Sequence, residues 1–273
     1  MTQVFRNRFR EVWISESGKQ TALKEKRRYF LDPKKFENEK DRLFSDVPFY
    51  KVGIMDNYFF ISDEIKVNLW EFIIKNFRSD QVSELDFFLS ERIEQLGKYI
   101  GNMPYFRSEI NRRLPRDIDE LRIALDIELV AKFFRNSGIS TVSMKNMIHL
   151  METDIEQSSS LVHGCLRLRN LGLTVDDRLV IIFGDDVVFG SILVTTSSLI
   201  ADLYDLKVIY QRWDFDPFTF VLNRFSISLN EEHIKKLKVF VFLYVAAHVA
   251  QYIVSYEPKH LDLSKLMKLY RSL

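Results

Sequence analysis

The side chains able to bind a metal, move a proton or act as a nucleophile are the first to weigh, and their spacing offers little. His149, His163, His233, His248 and His260 form no HxxxH or HExxH pair, and Cys165 is the sole cysteine. The expectation is therefore no metal and no disulfide framework, with Cys165 a core residue in a reducing compartment. His248 lies in an apolar stretch and reads as a core or interface histidine. Asp176-Asp177 and Asp185-Asp186 flank an apolar strand, where a magnesium nuclease would want carboxylates. No Glu-x-Lys element follows, and paired Asp favours turns. Nor does the chain hold a GxGxxG, a Walker loop or a GxSxG elbow. These absences lean against an enzyme and predict no cofactor and no small-molecule substrate.

Two sets of residues remain as candidates for binding. Ser158, Ser159, His163 and Arg167 fall on the outer face of a helix predicted over 156–170. Arg112, Arg113 and Arg116 upstream, with Arg169 and Arg178, extend them into a basic strip suited to DNA phosphates and guanine edges. Trp213, Phe215, Phe218 and Phe220 alternate with acids and Pro217. That run suits an edge strand with one buried face, or an aromatic anchor for a protein partner.

The elements that would position these residues read as α+β and helix-rich. The chain is 47% hydrophobic with a net charge of +1, which excludes disorder and a globally basic nucleic-acid binder. No signal peptide is visible, and the apolar stretch 239–256 reads as a core helix broken by His248 and Gln251, so the expected location is the cytoplasm and not the membrane. Val47 to Ile61 predicts a hairpin around Asp56-Asn57. Helices are predicted over 62–77, 80–100, 104–113, 116–136 and 141–151, and Lys24 to Arg28 reads as a solvated loop. Three regions result: an N-terminal α+β region (1–113), a central unit (114–196), and C-terminal strands and helices (197–273).

Leu161, Cys165 and Leu168 recur at i, i+4 and i+7, and Leu171-Gly172-Leu173 then stops the helix before an apolar hairpin. Three helices followed by a hairpin is the order of a winged helix. A helical bundle beside an unrelated hairpin is the other arrangement the order allows. The segment Ser158 to Gly172 resembles MarR-type regulators and the MukE-like accessory subunits of bacterial condensin (SMC) complexes. The resemblance implies a non-enzymatic winged-helix subunit that bridges protein partners in a hetero-complex acting on DNA, in a chromosome, plasmid or phage-defence role. Tyr50 to Ile61 would then be the hairpin of a preceding, second winged helix. The acidic tip Asp185-Asp186 argues against free entry into a groove. A DNA-binding transcription regulator is the alternative, and an enzyme with a dispersed site the second alternative.

Overall fold

The computed structural model describes the backbone of five N-terminal strands, and residues 65–100 and 112–255 apart from 175–176, 178, 182–186 and 211–213. The sequence also predicts helices from Pro33 to about Phe44 and from Asp262; these, and 104–111 of the helix expected over 104–113, lie outside the described residues. Strands β1 (Thr2–Arg6), β2 (Arg10–Ile14), β3 (Thr21–Glu25), β4 (Val52–Met55) and β5 (Tyr58–Ile61) form an antiparallel sheet ordered β1-β2-β3-β5-β4. β4 and β5 pair across Asp56-Asn57, with Met55 opposite Tyr58. The charge run expected in a loop starts inside β3, with Lys24 opposite Glu11 and Tyr58.

β6 (Ile65–Asn68) runs straight into α1 (Leu69–Asn76), where Asn68 Oδ1 accepts from Glu71 N at 2.8 Å and caps the helix. α2 (Val82–Ile100) follows. The expected helix 116–136 is two: α3 (Arg116–Ala124) and α4 (Glu128–Asn136), the first carrying Pro115 at its N-cap. α5 (Thr141–Gln157) is capped by Ser140.

Beyond α5 the winged-helix expectation fails. No recognition helix covers 156–170. That segment holds β7 (Leu161–His163), an irregular loop and a 3-10 turn, Leu168–Asn170. Val162 to Leu168 are all buried, whereas a recognition helix needs a wet face. The i, i+4, i+7 spacing of Leu161, Cys165 and Leu168 arose from a loop apolar on all sides. The expected wing is split as well. β8 (Leu171–Thr174) pairs with β9 (Leu179–Ile181) and with β6, while β10 (Val187–Phe189) pairs with β7.

The sequence places the C-terminal strands near 207–213 and 218–227, and neither is seen among the described residues. α6 (Ile192–Ile209) is a single helix, and α7 (Pro217–Arg224) starts at Pro217 under an Asp216 cap. α8 (Glu231–Ser255) is long and apolar enough to cross a membrane by composition, but 67% of its apolar window is buried. It is a core helix, packed along α6 and against α3, α4 and α5. α6 is buried without a break from Leu193 to Leu206. Its hydroxyls are satisfied inside the core: Thr196 and Ser197 bond the helix's own carbonyls, and Thr195 Oγ1 donates to His163 O at 2.8 Å. Each fully buried Leu or Ile of this α6–α8 core contributes about 1.5–3 kcal/mol.

Candidate active site

The loop between β7 and β8, residues 163–170, lies over the α6–α8 core and carries the densest polar chemistry among the described residues. Its backbone is held by side chains from below. Leu168 N donates to Asp202 Oδ2 at 2.7 Å, Leu166 N to Ser198 Oγ at 2.8 Å, and Tyr244 Oη to Gly164 O. The loop also braces itself, with Cys165 N donating to His163 Nδ1 at 3.1 Å and Asn170 Nδ2 to Cys165 O at 2.6 Å. Ser198, Asp202 and Asp205 recur along α6 at i, i+4 and i+7, so one helix stripe offers Ser198 and Asp202 to the loop and Asp205 to α8.

An ionic cluster lies beneath. Arg167 Nε donates to Asp202 Oδ1 at 2.9 Å, and its Nη1 to Asp117 Oδ2 at 3.1 Å. Asp117 also meets Arg116 at 3.6 Å, Gln251 Nε2 at 3.3 Å and the Cys165 thiol, whose Sγ donates to Oδ2 at 3.1 Å. Burial alone would raise the Asp117 pKa, but Arg167 and Arg116 hold it well below the usual carboxylate range. For Arg167 burial alone would lower the pKa, yet Asp202 and Asp117 drive it above its ordinary value. Both groups are therefore ionised at every physiological pH.

His248 on α8 faces the same cluster. Its Nδ1 donates to Asp205 Oδ2 at 2.9 Å, and its Nε2 stands 3.9 Å from Asp202 Oδ1. Asp202, Asp205 and His248 bring ligand atoms within 4.8 Å of one another. A metal does not fit them, because Arg167 and the Leu168 amide already occupy both oxygens of Asp202. Arg167 already supplies a cation on Asp202, while Asp205 Oδ1 and His248 Nε2 stay buried without a hydrogen-bond partner.

The proposed binding residues scatter. Arg167 and Arg116 are buried in ion pairs. His163 is buried, Ser158 caps α5, and Ser159 is exposed. Arg112 Nη1 donates to the carbonyls of Ile155, Glu156 and Ser158 at the end of α5, and Arg113 Nη1 to Leu114 O. Arg169 donates to Tyr252 Oη at 2.9 Å and lies over the Trp70 ring. Arg178 lies outside the described residues, as does Trp213. No continuous basic strip forms among the described arginines. Phe218 and Phe220 are buried, and Phe215 packs edge-on against Phe220 at 5.1 Å, so the aromatic run builds core and not an edge strand.

Sequence reasoning missed Asp117, Asn170, Asp202 and Asp205, and placed Cys165 and His248 in the core without function. Two local signals were present, the i, i+3 pair Asp202 and Asp205 and the spacing of His163, Leu166 and Asn170. Everything else in the cluster is assembled by tertiary structure.

No family model matches the chain, and no curated protein matches it in sequence. Solved structures do match its fold. Choline kinase LicA from Streptococcus pneumoniae is 11% identical, with a TM-score of 0.57 over 100% of this chain and 93% of that one. Aminoglycoside phosphotransferase APH(3'')-Id from Streptomyces rimosus is 14% identical, with a TM-score of 0.54 over 90% and 91%. A GDP and kanamycin complex of a second aminoglycoside phosphotransferase is 12% identical, with a TM-score of 0.54 over 99% and 91%. These likenesses overturn the winged-helix, MukE-like and MarR-like resemblance. With it go the partner-bridging condensin subunit, the transcription regulator and the DNA-binding assignment. The expectation that small molecules play no part is likewise withdrawn. Over nearly its whole length, the chain has the kinase-like fold of small-molecule phosphotransferases.

Proposed function

We propose that the chain is a phosphotransferase-type protein of the cytoplasm that binds a nucleoside triphosphate and a small hydroxyl-bearing molecule over the loop 163–170. One observation carries this reading: the loop's backbone is locked by Asp202 and by Asn170, inside a kinase-like fold. Phosphoryl transfer depends on positioning and electrostatics far more than on covalent chemistry, so a rigid loop is the part the protein must supply.

The sequence around the loop supports the same assignment. Protein kinases carry H-R-D-L-x-x-x-N at the catalytic loop. Here the run is His163-Gly164-Cys165-Leu166-Arg167-Leu168-Arg169-Asn170, which keeps His, Leu and Asn at the same spacing. Kinases also carry a phosphate-pairing lysine in a V-A-I-K strand. β3 reads Thr21-Ala22-Leu23-Lys24, with Lys24 in that position. The kinase-like fold brings magnesium with the nucleotide, where it neutralises phosphate charge. The chain's donors fit that ion poorly. Ile182-Phe183-Gly184 follows β9 where kinases carry Asp-Phe-Gly, so the metal-binding carboxylate is missing from the sequence.

Isothermal titration with ATP and with GTP tests the reading directly. Saturable binding of either, weakened by Lys24→Ala, is the expected result. Absence of binding by both nucleotides would sink it.

A further inference from the structure

Resting on that reading, we infer that this site binds its nucleotide without transferring the phosphoryl group, because no residue at the loop can take the acceptor's proton. The kinase base is the aspartate two residues after the loop histidine. In this chain that residue is Cys165. The thiol is fully buried, and Sγ is spent as a hydrogen-bond donor to Asp117 Oδ2, on the interior side of the loop. A thiol that is donating holds its proton, and one turned inward touches no acceptor.

The neighbouring carboxylates do not replace it. Asp117 is 1% exposed and engaged by Arg167, Arg116 and Gln251. A general base works best when its pKa lies near the operating pH, and these partners hold Asp117 far below that. Asp202 has both oxygens committed to Arg167 and Leu168; Asp205 and His248 pair with each other and are 0% exposed, so their unpartnered Oδ1 and Nε2 are enclosed in the core and meet no bound acceptor. The geometry needed to shape the loop is complete, while the group that performs proton transfer is gone. Positioned proton transfer contributes about 10²–10⁴-fold to rate. The metal-holding aspartate is missing from the sequence as well, which removes a second contribution.

The experiment uses the full chain and two readouts. A fluorescent ATP analogue, displaced by ATP and by GTP, reports binding in magnesium and in EDTA. Radiolabelled γ-phosphate reports transfer from ATP or GTP to choline, kanamycin or water. Binding in both buffers with no transfer above a protein-free blank is the expected result. Binding accompanied by acceptor-dependent transfer of many turnovers would overturn the inference and leave the nucleotide-binding reading standing. No binding at all would overturn both. Because Cys165 is the sole cysteine, thiol labelling gives an independent arm. The native protein should resist a maleimide that reacts readily once the chain is denatured. Rapid native labelling, blocked by ATP, would place the thiol in the ligand site and overturn the inference.

Discussion

At the scale of single residues, Arg167 connects the loop to the core. Replacing it with Met would leave Asp117 and Asp202 facing each other without their shared cation. Removing one member of a buried pair costs about 3–5 kcal/mol. Urea denaturation of Arg167→Met should show a loss of that order; a loss under about 1 kcal/mol would mean that the pair is not what holds the loop. Acid should act on the same cluster. The folded pKa of Asp117 is depressed, so its stabilisation is complete above the unfolded carboxylate value of about 3.9 and is lost as pH falls toward the folded value. Stability should therefore decline below about pH 4, and an Asp117→Asn variant should start lower but decline less steeply over that range. None of this was legible from spacing. His163, Leu166 and Asn170 keep the kinase interval, but Cys165 stands where a carboxylate would have drawn attention to it.

At the scale of elements, the contact between α2 and α7 depends on a missing side chain. A Cβ on Gly97 would sit 2.7 Å from Arg224 O and 3.0 Å from Phe225 Cδ1. Since Arg224 O is backbone, the two helices must separate to admit it. Gly97→Ala should destabilise by about 1–3 kcal/mol despite its better helix propensity, measured as a lower thermal midpoint. An unchanged or raised midpoint would mean that the helices yield without cost. Elements were legible where local chemistry marks them. Asp56-Asn57 lies between β4 and β5, and Ser140 caps α5; the Asp216-Pro217 start of α7 was hidden by alternating aromatics that read as a strand. Elements were illegible where burial is complete. α6 reads Ile192-Leu-Val-Thr-Thr-Ser-Ser-Leu-Ile, and helix and strand patterns fit such a run equally well.

At the scale of the whole molecule, the apolar run of α8 was legible as core, but the architecture was not. The order of helices and strands through 114–196 fits a winged helix until the pairing partners are known. β10 joins β7 instead of β9, and that one choice turns an apparent wing into the surroundings of a loop. If the molecule is a nucleotide binder, ligand at about 100 times its Kd should add about 2.7 kcal/mol to its stability. A thermal-shift titration with ATP that leaves the midpoint unmoved at saturating concentrations would contradict that expectation.

The unbroken burial of α6 from Leu193 to Leu206 has a kinetic consequence. A helix enclosed all round has no face from which to fray, so its amides can meet solvent deuterium only when the surrounding core comes apart. Hydrogen exchange along α6 should be the slowest in the chain and should track global unfolding as urea is added. Arg167→Met should accelerate it by the same factor by which the unfolding equilibrium shifts. Exchange in α6 as fast as at the exposed face of α4 would show that the core opens without the rest.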